Sequence, residues 1–243
     1  MKNIDQLSQI KDYFEEISIS KFRKSKKIYY KSIVYKDYFR FQKFYLPLIR
    51  SGNSNATSRL LKKIFKNRRS IRKFNNSLIT VKNLSLILNS CFSVIDNNYE
   101  RRPYPSAGAR YPIETYVICV RGINSIDRGV YHYNPRYKYL ELINTLKSID
   151  IVKEIFGKSY FLNTSFFVIF TSIPSRVVEK YGYRGLGYMY IESGHMAQNL
   201  HLFAGVCKVN SCAIGGFLDT KLIKLLGLRE GYEFPIYAVA LGG

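Results

Sequence analysis

From Gly187 to Phe203 the chain runs without a proline. Its apolar residues Tyr188, Met189, Ile191, Met196, Ala197, Leu200, Leu202 and Phe203 fall on nearly every side of a helical wheel. The pattern predicts a helix enclosed by the rest of the protein, so the fold must be built around it. Just upstream, Lys180-Tyr181-Gly182-Tyr183-Arg184-Gly185 is too rich in glycine to continue a helix comfortably. It is read as a loop that brings a cation and a phenol to the start of the buried element. His195 and His201 on the helix are read as core histidines held by hydrogen bonds. Glu192, Gln198 and Asn199 are read as groups that satisfy helix ends or an interface.

The rest of the chain supplies layers to cover that helix. Arg59 to Lys66 is predicted as an amphipathic helix, and Thr80 as the N-cap of a buried helix over Val81 to Cys91. Ile113 to Val120, Phe166 to Ser172 and Tyr237 to Leu241 read as apolar strands. Residues 129–133 and 139–143, separated by Asn134-Pro135-Arg136, read as a hairpin. Strands alternating with long helices imply a mixed α/β or α+β layer fold.

At 243 residues the chain is one domain with room for a full core, or one domain with an extension. Residues 1–55 carry lysine and arginine interleaved with tyrosine and phenylalanine, and Ser51-Gly52-Asn53-Ser54-Asn55 reads as a linker. The expected division is a basic, aromatic N-terminal extension over 1–55 and a main domain over 56–243. The extension is read as helical, its aromatics packed on the main domain and its lysines solvated. The formal net charge of +21 would attract an acidic partner such as nucleic acid, anionic lipid or an acidic peptide. Cys91, Cys119, Cys207 and Cys212 form no CxxC pair, so free thiols are expected in place of a zinc or disulfide framework. No stretch approaches the roughly 18 apolar residues of a membrane span and the N-terminus has no signal-like apolar region, which predicts a cytoplasmic protein.

Two loops carry the residues with chemistry. Asn67-Arg68-Arg69-Ser70-Ile71-Arg72 offers three guanidinium groups and a hydroxyl within five residues, enough to hold a phosphate dianion. Arg101-Arg102-Pro103-Tyr104-Pro105-Ser106-Ala107-Gly108-Ala109-Arg110-Tyr111-Pro112 is barred from regular structure by its prolines and glycine. Its small residues would let backbone N–H groups approach a flat ligand.

Taken in order, RRSIRKF, RRPYPSAGARYPIE, GVYHYNP, KYGYRG, ESGHMAQN and AIGGF resemble the nitroreductase-like flavoproteins, specifically the SagB-type dehydrogenases that include the azoline oxidases of thiazole/oxazole-modified peptide biosynthesis. The resemblance covers residues 56–243 and implies an α+β fold, with a mainly antiparallel sheet flanked by helices, in an obligate homodimer that binds FMN. It assigns Arg68, Ser70 and Arg72 to the FMN phosphate. It places Pro105, Ser106, Ala107 and Gly108 against the isoalloxazine, from the other subunit, and the backbone of Ile214, Gly215 and Gly216 near flavin N5. Lys180 and Tyr181 match the catalytic Lys-Tyr pair of azoline oxidases. Arg110 departs from the pattern, since relatives carry leucine there.

The implied reaction oxidises thiazoline or oxazoline rings in a ribosomally made precursor peptide, in complex with a cyclodehydratase. A proton must leave the ring carbon next to the carbonyl and a hydride the neighbouring carbon, so a base is required opposite the flavin. A phenol, weakly acidic at about 10 when unperturbed, needs a nearby cation to act as that base, and a lysine can supply one. Consecutive residues in a loop can converge in this way, whereas on a helix they would diverge. Two other readings are a nitroreductase-like enzyme acting on a quinone, nitroaromatic or other peptide, and a flavin-less nucleic-acid-binding protein. No metal site is expected, and neither a membrane nor nucleic acid is the expected partner.

Overall fold

The computed structural model describes residues 2–18, 42–44, 46, 55–96, 98, 100–123, 125–157 and 163–243. The basic stretch Lys21 to Tyr45 and the linker before Asn55 lie almost wholly outside them. Six strands form one sheet: β1 (Ile113–Cys119), β2 (Gly129–Asn134), β3 (Tyr139–Thr145), β4 (Phe166–Ser172), β5 (Asn210–Ile214) and β6 (Phe234–Gly242). Their order is β3-β2-β1-β4-β6-β5, and every neighbouring pair is antiparallel. The helices are α1 (Lys2–Ile17), α2 (Ala56–Asn67), α3 (Val81–Phe92), α4 (Asp150–Phe156), α5 (Ser175–Tyr181), α6 (Arg184–Val206) and α7 (Asp219–Leu226). The fold is α+β.

Both faces of the central strands are covered, because their side chains alternate between two cores. Val117, Phe166, Val168, Phe170, Val239 and Leu241 pack with α1, α3 and α6 on one face. Ile118, Phe167, Ile169, Ala238 and Ala240 pack with α4 and α7 on the other. This two-sided burial explains the unbroken apolar run of β4, all seven of whose residues are buried. Deleting one of its rings, as in Phe170→Ala, would cost about 3–5 kcal/mol.

Two expectations about the central helix need correction. α6 begins at Arg184, earlier than Gly187, and it is not enclosed all round. Leu186, Met189, Met196, Ala197, Leu200 and Ala204 form its buried face, while Ile191 is 56% exposed and Val206 also lies open. The Lys180-Tyr181 pair is not in a loop either. Both are the last residues of α5, and Gly182, at φ 57°, ends that helix without preventing it. Gly185 lets α6 pack directly on α5, since a Cβ there would meet the Val177 carbonyl carbon at 3.1 Å.

The N-terminal helix belongs to the core. Ile10 is buried, and the Phe14 ring stacks on Phe234 at 4.2 Å with an interplanar angle of 8°. Such a pair adds about 0.5–1.5 kcal/mol beyond the area it buries. Among the described residues the four cysteines are free, no cluster of ligands suits a metal, and no helix is long and apolar enough to cross a membrane.

Candidate functional site

Sheet register brings the proline-rich loop to α5. Ile113 pairs with Ser172 and Ile173 N–H donates to the Pro112 carbonyl at 2.8 Å. The loop that enters β1 and the helix that follows β4 therefore emerge at the same end of the sheet. There the loop adopts unfavourable backbone, with φ of 59° at Gly108, 53° at Ala109 and 44° at Tyr111. Left-handed backbone at two residues with side chains costs on the order of 1–3 kcal/mol each and persists only where neighbours enforce it. They do so here by hydrogen bonds. Asn199 Nδ2 donates to the Pro103 carbonyl at 2.9 Å, Tyr111 N–H to Ser106 Oγ at 2.9 Å and Arg176 Nη1 to the Tyr111 carbonyl at 2.8 Å. The Arg102 guanidinium also lies 4.3 Å from the centroid of the Tyr111 ring.

Lys180 and Tyr181 reach this loop at one point. A Cβ added to Gly108 would lie 2.5 Å from Tyr181 Oη and 3.0 Å from Lys180 Nζ. The ammonium is 5.3 Å from the Tyr181 ring centroid. Although consecutive residues on a helix leave it about 100° apart, both side chains here are long and sit in the last turn. They bend to the same glycine. The sequence reading has the pair converge from a loop and diverge on a helix; here the two side chains meet at Gly108 from the last turn of a helix.

Beneath the loop stands a group read from the sequence as satisfying a helix end or an interface, which within the described residues it does not do. Glu192 of α6 is 2% exposed, and neither carboxylate oxygen has a hydrogen-bond partner. Burial pushes it up to about 7, with the Ser106 hydroxyl and the Arg102 and Arg176 cations partly opposing the shift. Ser106 thus stands close enough to act on the carboxyl without closing a hydrogen bond to it. Farther along the same sheet end, Glu114 bridges Arg176 at 2.5 Å and His132 Nε2 at 3.1 Å, and His132 Nδ1 meets Glu141 at 2.7 Å. That chain of charges anchors α5, through Arg176, to β1, β2 and β3.

The arginine loop lies elsewhere. Ile71 N–H donates to the Ser211 carbonyl at 3.0 Å, which sets residues 68–72 beside the start of β5. Ser70 and Arg72 are exposed, and among the described residues no carboxylate bridges Arg68 or Arg72. Arg69 curls back, donating from Nη1 to the Lys66 and Arg68 carbonyls at the end of α2. His201 Nδ1 and Ser211 Oγ are 2.8 Å apart, and burial, then the Arg68 charge, lowers His201 to about 4. His201 is thus the hydrogen-bonded histidine expected, whereas His195 is exposed on the outer face of α6, contrary to expectation. Ile214 ends β5, and the exposed Gly215 follows, about 14 Å from Ser211 at strand rise.

Two half-sites result, one on each flank of α6. Glu192 and Asn199 face the 103–108 loop, while Tyr190 and His201 are each two residues away from them and so about 200° round the helix. Tyr190 shares a cavity with Gly215, and His201 meets Ser211. Within one chain the arginine loop and the Ile214-Gly215-Gly216 turn are separated by α6 from Gly108, Lys180 and Tyr181.

Residues 65–243 match the nitroreductase family, and the chain belongs to it. It is similar to the nitroreductase-like protein MJ1384 of Methanocaldococcus jannaschii, 30% identical over 178 residues that span 72% of this chain and 86% of that protein. It is also similar to the microcin B17-processing protein McbC of Escherichia coli, 28% identical over 170 residues, 68% of this chain but only 62% of McbC. Among solved structures, the E. coli microcin synthetase McbBCD complex with truncated pro-MccB17 bound shares the fold, at a TM-score of 0.75 and 22% identity, over 98% of this chain and 93% of that one. A nitroreductase-family structure from Desulfovibrio desulfuricans in complex with FMN shares it at a TM-score of 0.51 and 14% identity, over 75% of this chain and 84% of that one.

Proposed function

We propose that the chain is an FMN-dependent dehydrogenase that oxidises thiazoline or oxazoline rings of a precursor peptide to thiazoles or oxazoles. The observation that carries the reading is the convergence of Tyr181 Oη and Lys180 Nζ on Gly108. The peptide class is suggested by the similarity to a microcin-processing protein.

The residues present suit FMN. Arg72 and Ser70 are exposed, and a Cβ at Gly215 would meet nothing within 4 Å, so its backbone is open to a planar group. Arg68, Ser70 and Arg72 would hold the phosphate, the 214–216 turn would approach the ring, and Pro105 to Gly108 would cover it. Bound FMN supplies the hydride acceptor. Tyr181, acting as a phenolate beside the Lys180 ammonium, takes the proton from the ring carbon next to the carbonyl and becomes the neutral phenol. Gly108 admits both groups because it has no side chain, and the Glu114–Arg176 pair holds α5 in place to present them.

The separation of the two half-sites by α6 supports a homodimer in which each flavin is held by the arginine loop of one copy and covered by the 105–108 loop of the other. Leu60, Leu61 and Phe65 of α2, with Ile191 and Val206 of α6, are exposed apolar residues available to such an interface. The reading also includes residues 56–243 as the FMN-binding domain, 1–55 as an extension, a cyclodehydratase partner and a cytoplasmic setting.

The test is the visible spectrum of the purified protein. An oxidised-flavin band that bleaches anaerobically on addition of a thiazoline peptide is the expected result. A protein that stays colourless after incubation with excess FMN would overturn the reading.

A further inference from the structure

Two donors on the proline-rich loop and one acceptor beneath it are left unused. Ser106 Oγ accepts from Tyr111 N–H at 2.9 Å, so its own O–H remains to be given. Arg102 Nη1 donates to Tyr104 Oη at 3.0 Å, while its Nε is buried without a partner. Both carboxylate oxygens of Glu192 are buried without one as well. Asn199, two turns along the same face of α6, already holds the loop at the Pro103 carbonyl. α6 thus offers the loop two supports, and only one is closed.

An ionised carboxylate would not keep this arrangement. Burying a charge without a hydrogen bond costs far more than burying a neutral acid, and bonds from a hydroxyl or guanidinium to a carboxylate are the strong ones. The loop position observed therefore suits the neutral acid, whereas the anion would draw Ser106 and Arg102 down onto α6. Gly108 is two residues from Ser106, and its fit leaves no slack, since a Cβ there would lie 2.5 Å from Tyr181 Oη and 3.0 Å from Lys180 Nζ. Resting on the function proposed above, we propose that Glu192 is a positioning residue: its neutral carboxyl leaves Gly108 seated against Tyr181 and Lys180, and its ionisation, acting through Ser106, unseats the glycine. The charged and titratable groups described around it are Arg102 and Tyr104 of the loop and Arg176 of α5. The two cations favour the anion, and Tyr104, raised by its own burial, adds no charge. Burial of Glu192 outweighs the cations and raises the carboxyl to about 7.

The test uses the full-length protein labelled with heavy nitrogen in glycine, first without substrate. The Gly108 amide signal, identified by its absence from Gly108→Ala, is expected to shift in the parent with a midpoint at about pH 7. In Glu192→Gln, whose amide copies the shape of the neutral acid and does not ionise, the signal should keep the parent's low-pH position throughout. Ser106→Ala should flatten the step with Glu192 still in place. A parent signal that stays fixed between about pH 6 and 8, or one that moves equally in Glu192→Gln, would overturn the assignment. Oxidation of a thiazoline peptide by the flavin-loaded proteins is measured in parallel. Per bound flavin, the ratio of Glu192→Gln to parent turnover should rise about tenfold from pH 6 to pH 8, as the neutral fraction of the parent carboxyl falls by that factor. A Gly108 step that Glu192→Gln abolishes, with no oxidation by either protein, would leave the positioning role standing and remove the proposed reaction. Oxidation at a constant ratio would do the reverse.

Discussion

Gly108 and Tyr181 are packed so closely that a methyl group at position 108 would lie 2.5 Å from the phenolic oxygen. Gly108→Ala therefore has two consequences. The backbone, at φ 59°, becomes strained by about 1–2 kcal/mol. The phenol must also move away from the loop. The expected outcome is a fall in azoline oxidation of at least about tenfold with the flavin band retained, read by turnover per bound flavin. An unaltered turnover would separate the loop from the chemistry.

Lys180→Ala should slow the same step as loss of the phenol. If the ammonium works only by stabilising or placing Tyr181, the double variant Lys180→Ala/Tyr181→Phe will be scarcely slower than Tyr181→Phe alone. Single-turnover flavin reduction measures this. Additive losses would give Lys180 an independent role.

Much of this arrangement is legible in the sequence, and the gaps have physical causes. β4 was predictable residue for residue because a strand buried on both faces reads as a continuous apolar run. Thr80 was predictable as a cap because its side chain does what caps do, accepting from Asn83 N–H at 3.1 Å. β5 gave little signal, since Asn210-Ser211-Cys212-Ala213-Ile214 holds only one strongly strand-forming residue and owes its state to pairing with β6. The glycines after Tyr181 suggested a loop, yet one glycine past the end of a helix is a stop signal and leaves the helix before it intact. The apolar pattern of α6 could not distinguish residues buried in the core, such as Met189, from residues left open, such as Ile191. Glu192 was visible as a polar residue on an apolar helix, but its lack of a partner is a tertiary fact.

Arg72→Ala is expected to lower flavin occupancy more than turnover per bound flavin, because it removes a charge-assisted phosphate contact remote from the reacting ring. A contact of this kind is worth about 1.5–3 kcal/mol, or roughly 10- to 150-fold in FMN affinity. Titration of flavin-free protein with FMN measures it. Equal affinity with lost turnover would contradict the assignment.

Glu192→Gln should stabilise the protein at neutral pH relative to acid. The folded carboxyl is raised to about 7 while the unfolded one keeps its ordinary value of 4.5, so the parent loses stability as pH rises between those values and no further above them. The difference across that range is on the order of 3 kcal/mol. The variant lacks this loss, and denaturant melts of both proteins at pH 4.5 and 7.5 should diverge in its favour. Parallel pH profiles would show that the carboxyl does not titrate as its burial demands.

The Glu114–His132–Glu141 chain has its own pH signature. Burial alone would lower His132, but the hydrogen bonds and charges of Glu114 and Glu141 outweigh it and leave the pKa above its ordinary value. Its contribution is therefore full below the unfolded value near 6.5 and is lost as pH rises through the folded value. Burial would raise Glu114, yet His132 and Arg176 together lower it, so its contribution is present above the unfolded carboxylate value and is lost in acid. His132→Gln should lower the melting temperature at pH 6, and the difference from the parent should shrink as pH rises through the folded value. A constant difference across that range would contradict the pairing.

The most direct test of the account is the product made by Tyr181→Phe. The substitution keeps the ring packed at 5.2 Å from Tyr188 and removes only the phenol. With flavin bound and a cyclodehydratase supplying heterocyclised peptide, oxidation should fall by about 10² to 10⁴, as expected for a lost general base. Mass spectrometry should then find azoline peptide, heavier than the azole by two hydrogens per ring. Full conversion to azole by Tyr181→Phe would contradict the mechanism and return the pair at Gly108 to a structural role.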